Sequence, residues 1–270
     1  MPKAEINGIT LDYMVEGKGE PLIMIIGLGS DQSNWRLQTA SFRKYYSTIT
    51  FDNRGAGKSD KPTGPYTMSM MVDDTDGLMD HLDIEKAHIL GVSMGGMIAQ
   101  ELAINHPEKV DKLVLGCTFA CRDETSGFSS EVSQALEAYD GSSHDLMSLR
   151  KLVNVIIDLT FNKRSYRVLA LPLMKAAIRS SSLDGFVEQL EAVLAHNAAD
   201  RLGKIEAPTL VITGTEDRVI KPVSSEVIAS LVPKAKLAKV EGGSHGFSGE
   251  MSREFNREVL DFIGPQPKTT

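Results

Sequence analysis

The feature that most constrains this chain is an alternation. Short apolar runs, each stopped by glycine or polar residues, are separated by longer stretches with helical spacing. Leu22 to Ile26 stops at Gly27, Thr48 to Phe51 ends at Asp52-Asn53-Arg54-Gly55, and Ala87 to Leu90 runs into Gly91. Val110 to Leu115, Thr209 to Thr213 and Ala235 to Val240 complete the set. Most of these runs are continuously apolar rather than alternating, as expected of strands covered on both faces. Helical spacing is carried by Met68 to Leu82, Met94 to Asn105, Val223 to Leu231 and Arg253 to Ile263. The rhythm predicts βαβ units: an α/β protein with a mostly parallel central sheet and helices on both faces. Ile6 to Val15 reads as an opening hairpin that turns at Asn7-Gly8.

One region breaks the rhythm. From Phe119 to Lys204 the pattern is helical, with breaks expected at Asp140-Gly141, Pro172 and Asp184-Gly185. Strands resume after it, so it reads as an all-helical cap inserted between two strands of one sheet. The expected organisation is a core of residues 1–118 and 205–270 with a cap of residues 119–204.

The chemistry starts at Gly91-Val92-Ser93-Met94-Gly95, a G-x-S-x-G sequence between an apolar strand and a helix. A serine on a sharp strand-to-helix turn leaves no room for nearby Cβ atoms, which accounts for both glycines. The following helix aims its free N–H groups and positive dipole end at the reacting centre. Ser93 is therefore the expected nucleophile, and it needs a base and an acid to orient that base. Of the six histidines, only His245 has a suitable address. It lies in the loop Gly242-Gly243-Ser244-His245-Gly246, after the last strand, at the carboxyl edge where open α/β sheets build their sites. The acid comes from Gly214-Thr215-Glu216-Asp217, which follows another strand. Asp217 is the choice and Glu216 the reserve; the bland alternative is that Asp217 only caps the helical region at Pro222.

The order serine, aspartate, histidine in these settings resembles the α/β-hydrolase family. So does Asp52 to Ser59 (DNRGAGKS), similar to the family's D-x-R-G-x-G-x-S, and His245 to Glu250, similar to its H-x4-E. The resemblance spans nearly the whole chain and implies backbone N–H groups of Leu28 and Met94 as oxyanion donors. Two departures stand out: Ile26 occupies the place of the histidine that often precedes Gly27, and Ser244 stands where glycine usually precedes the catalytic histidine. GVSMGGMIAQ, residues 91–100, resembles the 3-oxoadipate enol-lactonase subgroup, general carboxylesterases and C–C bond hydrolases alike.

The resemblance implies a cofactor-free serine hydrolase of a small ester or lactone. The alternatives are a C–C hydrolase of a ring-cleavage product, or a ligand receptor with very slow turnover. No P-loop, dinucleotide fingerprint or H-E-x-x-H sequence points to a cofactor or metal. Apolar cap runs, Leu152 to Ile157 and Leu169 to Met174, suit an apolar substrate, and Arg164, Arg167 and Arg179 are candidates for a substrate carboxylate. A net charge of −7 argues against a nucleic-acid partner. No apolar run approaches the length of a membrane span, and the first residues lack the apolar core of a signal peptide. Two cysteines, Cys117 and Cys121, read as unpaired thiols, so a cytoplasmic protein is expected, with homodimerisation open.

Overall fold

The computed structural model describes residues 2–139, 146–162 and 183–264. The chain opens with strands β1 (Lys3–Ile6) and β2 (Ile9–Glu16), antiparallel, with Ile6 opposite Ile9. Asn7 and Gly8 both take positive φ, 51° and 77°, as a two-residue hairpin turn matched to strand twist requires. Six strands follow: β3 (Pro21–Ile25), β4 (Ser47–Phe51), β5 (Ala87–Val92), β6 (Val110–Gly116), β7 (Thr209–Gly214) and β8 (Lys236–Val240). They form one sheet in the order β1-β2-β4-β3-β5-β6-β7-β8, parallel from β4 to β8. The order reverses between β3 and β5, where α/β sheets open a crevice at the strands' carboxyl ends.

The continuous apolar runs are explained by the two cores they divide. Ile23, Ile25, Ile89, Leu113, Leu115 and Val211 face one cluster, which holds Met71 and Leu78 of α2 (Met68–His81) and Ile98 and Leu102 of α3 (Met94–Asn105). Their sequence neighbours Leu22, Met24, Leu90, Val114, Leu210 and Ile212 face the other. That second core contains Trp35, Phe42, Phe255, Val259 and Ile263. Side chains alternate across a strand, so a sheet covered on both faces must be apolar at every position.

Phe42 ends α1 (Arg36–Phe42), which the apolar pattern does not reveal. Its inward face carries Gln38 and Thr39, both buried, so the helix looks polar in sequence. Gln38 spends its amide on the Ser248 carbonyl (2.7 Å) and on Asn256 Oδ1 (3.1 Å).

Between β6 and β7 the described residues form a helical cap: α4 (Ser130–Glu137), α5 (Leu146–Thr160), α6 (Leu183–Ala195) and a 3-10 turn at Ala199–Lys204. Leu149 and Leu152 of α5 pack on Phe186 and Leu190 of α6 in a cluster of their own. The break expected at Asp184-Gly185 is instead the first turn of α6. Asp184 suits the positive end of the helix, and Gly185 is there because a Cβ would lie 2.4 Å from the Gly55 carbonyl oxygen. Asp140-Gly141, Pro172, His144, Leu169 to Met174, Arg164, Arg167 and Arg179 lie outside the described residues. The core closes with α7 (Val223–Leu231), the short α8 (Phe247–Glu250) and α9 (Ser252–Ile263). Among the described residues no helix is long and apolar enough to cross a membrane.

Candidate active site

Ser93 joins β5 to α3 in a conformation few L-residues adopt, φ 55° and ψ −123°. Such a strained backbone persists only where its surroundings over-determine it. Here the Ser93 N–H donates to the Gly116 carbonyl at 2.8 Å, and the Ser93 carbonyl accepts from the Thr118 hydroxyl at 2.9 Å. The glycines are needed for clearance: a Cβ on Gly91 would sit 2.1 Å from the Gly95 carbonyl oxygen, and one on Gly95 2.1 Å from that of Ile25.

The three residues singled out in the sequence meet. His245 Nε2 lies 3.2 Å from Ser93 Oγ, and His245 Nδ1 lies 2.8 Å from Asp217 Oδ2. The Asp217 side chain is fully buried, and its other oxygen accepts from the N–H groups of Val219 (2.8 Å) and Ile220 (2.9 Å). Asp217 thus meets His245 as well as the N–H groups of the turn that leads to α7, whose N-cap residue, Pro222, makes no side-chain cap. Glu216 is exposed and turned away, its carboxylate accepting from Asn162 Nδ2 at 3.0 Å.

Cys117 stands beside this pair. Its thiol, Asp217 and His245 present ligand-type atoms within 4.8 Å of one another. Burial pushes the Cys117 thiol well up, and the Asp217 carboxylate adds to the effect, so the sulfur keeps its proton. With both Asp217 oxygens and His245 Nδ1 already engaged, the group is a hydrogen-bonded unit rather than an open ligand set. Both cysteines are unpaired.

The loop after β3 completes the site. A Cβ on Gly27 would lie 3.1 Å from Ser93 Cβ, so this backbone runs directly past the serine. The Ser30 N–H closes a turn onto the Gly27 carbonyl at 3.3 Å, with Gly29 at φ 64°. Leu28 lies inside that turn. Met94 is the first residue of α3, and helix-opening N–H groups have no partner within the helix.

The two departures seen in the sequence have local explanations. In place of a histidine side chain, Asn53 Nδ2 holds the Ile26 carbonyl (3.1 Å) and the Gln189 side-chain oxygen accepts from the Gly29 N–H (2.9 Å). Ser244 donates its hydroxyl to Glu250. The sequence pattern missed Asn53, Thr118 and Gln189 as site residues. Gln189 stands between Glu188 and Glu191 and looks solvated; the available signal was its place on the same helical face as Phe186 and Leu190.

Comparison with known proteins agrees with this architecture. The alpha/beta hydrolase fold family matches residues 20–250. This chain belongs to that family. It is 27% identical over 270 residues to a putative carbamate hydrolase of Azorhizobium caulinodans, covering 98% of each chain. It is 31% identical to a 2-hydroxymuconate semialdehyde hydrolase of a Pseudomonas species, over 95% of this chain and 91% of that one. Among solved structures, an enol-lactonase from Burkholderia xenovorans superposes with a TM-score of 0.87 at 27% identity, covering 98% of this chain and all of that one. Hydrolase activity is the common ground of these relatives.

Proposed function

We propose that this hydrolase cleaves a small carboxylic ester or lactone through an acyl-enzyme on Ser93. The observation that carries the reading is the file Ser93–His245–Asp217, with contacts of 3.2 and 2.8 Å, at the positive end of α3. In this mechanism Ser93 Oγ attacks the substrate carbonyl while its proton passes to His245 Nε2. Asp217 holds the imidazole in the tautomer that can accept that proton and stabilises the imidazolium. The N–H groups of Leu28 and Met94 take the developing oxyanion. Collapse breaks the C–O bond, and the leaving oxygen receives the proton from His245. A water, deprotonated by His245, then releases the acid and restores Ser93. The apolar inner face of the cap closes the pocket, and the unpaired cysteines suit a cytoplasmic setting.

Similarity to an enol-lactonase supports the ester or lactone bond. A second reading, hydrolysis of a C–C bond in a ring-cleavage product, is favoured by the 31% identity to a 2-hydroxymuconate semialdehyde hydrolase. Multiple-turnover assays on 4-nitrophenyl esters, simple lactones and a vinylogous diketone acid separate the two. Preferential cleavage of the diketone acid would reverse the order of these readings. Binding without turnover on all three would leave a receptor.

A further inference from the structure

We infer that Gln189, on cap helix α6, is a positioning residue for the oxyanion hole, so that the hole is complete only when the cap is seated. The inference rests on Leu28 being an oxyanion donor in the serine mechanism above.

The Leu28 N–H belongs to the peptide between Gly27 and Leu28, and the peptide on each side of it is pinned. On one side Asn53 Nδ2 holds the Ile26 carbonyl at 3.1 Å. On the other, Gln189 Oε1 accepts from the Gly29 N–H at 2.9 Å. The same amide donates to the Arg54 carbonyl at 2.7 Å, so its orientation is set from both ends. Gln189 is completely buried. One of the two pins therefore comes from the sheet and the other from the cap. In a turn with a left-handed third residue, the neighbouring peptide is the unit that flips between turn types. Holding the Gly29 N–H blocks that flip next to Leu28.

The docking of α6 is built to deliver this amide. Gly185, one helical turn earlier on the same face, meets Gly55 backbone to backbone, with an added Cβ on Gly55 only 3.0 Å from the Gly185 carbonyl oxygen. Arg54, whose carbonyl receives Gln189, is itself locked by two hydrogen bonds to the buried Asp74, 2.6 and 2.7 Å. The Glu188 carboxylate accepts from the Tyr66 N–H at 3.2 Å. The segment DNRGAGKS thus serves as the seat on which the cap helix and the oxyanion loop are joined.

The test uses Gln189→Met, which keeps shape and loses both hydrogen bonds. The probes are 4-nitrophenyl acetate and a pair of ketones of one skeleton. Ser93 attacks a trifluoromethyl ketone to give an oxyanion, whereas the matching methyl ketone binds without forming one. We expect kcat/KM to fall about ten- to a hundredfold, since displacing a donor costs no more than the roughly 10²–10³ of removing one. The Ki of the trifluoromethyl ketone should rise by the same factor and that of the methyl ketone should stay put. Unchanged trifluoromethyl ketone binding in the folded variant, or equal weakening of both ketones, overturns the proposal. If Gln189→Met does not fold, Gln189→Asn, which withdraws the amide by one methylene, is judged by the same criteria. Fluorophosphonate labelling that persists in Ser93→Ala would sink the nucleophile reading beneath it. If that labelling is lost but the ketones are unaffected by Gln189→Met, only the role of Gln189 fails.

Discussion

The sheet edge and the cap meet at one site but reach it by different means. Ser93, Asp217 and His245 hang from loops leaving β5, β7 and β8, and backbone contacts set those loops: the Ser93 N–H on Gly116, the Glu216 N–H on Gly243 and the Thr215 N–H on Val240. Among the described residues the cap shares only one isolated antiparallel bridge with the core, Phe128 against Ile220. There the Ser129 N–H donates to the Val219 carbonyl and the Lys221 N–H to the Gly127 carbonyl, both at 2.9 Å. The cap touches the site through a few groups on α5 and α6 and just beyond: Gln189 on the Gly29 N–H, the Thr160 carbonyl on the Gly246 N–H at 2.7 Å, and Asn162 on Glu216. A position held by parallel-strand pairing survives most side-chain changes, whereas one held by a single amide depends on that amide. Reactivity should therefore be a property of the core, tuned by very few cap residues. The Gln189–Gly29 hydrogen bond qualifies the simplest form of that division, in which the loop after β3 owes nothing to the cap.

The sharpest division comes from Ser93→Ala. It should cost about 10⁶ in kcat and abolish fluorophosphonate labelling, the scale set by removing a triad serine. Residual turnover near the wild-type rate would break the comparison at its root. Next, Asp217→Asn should cost about 10⁴ in kcat by leaving His245 in the wrong tautomer. Glu216→Gln, at an exposed position tied to the cap, should stay within about twofold. The reverse ranking would move the orienting role toward the cap junction.

A third test concerns the return from the cap, where His196 is buried beside Phe119 and 3.6 Å from Glu101. Burial pushes its pKa down to about 4, partly offset by Glu101, while Arg201, hydrogen-bonded to Glu101 at 2.6 Å, lowers it further. The folded value lies below the unfolded one, so the unfolded chain binds the proton first. The contribution is full above about pH 6.5 and lost as pH falls toward about 4, up to about 3 kcal/mol. Tm should drop between about pH 7.5 and about pH 5 in the wild type, and less steeply in His196→Leu. Parallel slopes would remove this histidine from the account.

The last test falls on Val155 and Ile156 of α5, which pack at the boundary of core and cap clusters together with Leu28. Ile156→Ala should shift the preferred ester chain length by about tenfold between neighbouring substrates, the scale of a methylene in an apolar pocket. Labelling of Ser93 by a small probe should be unaffected. A flat profile would assign substrate choice to core loops such as Gly27 to Trp35.

Much of this could be read from the chain because the relevant signals are local. Six strands stand out as short, mainly apolar runs. Gly91 reports a steric demand made within five residues, against the Gly95 carbonyl, although Gly95 itself clears the distant Ile25 carbonyl. The addresses of His245 and Asp217 follow from strands that end just before them. Other features had no such signal. Helix α1 was hidden because two of its three buried residues are Gln38 and Thr39, and the partners of Gln38 lie 210 and 218 positions away. Asp184-Gly185 imitated a helix break because a glycine needed for close helix docking has the same letter as one needed for a turn.

The amino-acid sequence by itself determined the α/β class, the family and the serine, histidine and acidic loops, since those depend on periodicity and on residues near one another in the chain. The sequence preferred Asp217 to Glu216, and the tertiary structure sets Asp217 against His245, because adjacent side chains in a loop point apart and the sheet selects which one faces the histidine. The tertiary structure alone brought Gln189 to Gly29, 160 residues away. A buried hydrogen bond across that separation depends on how two surfaces pack, and no periodicity in the chain encodes it.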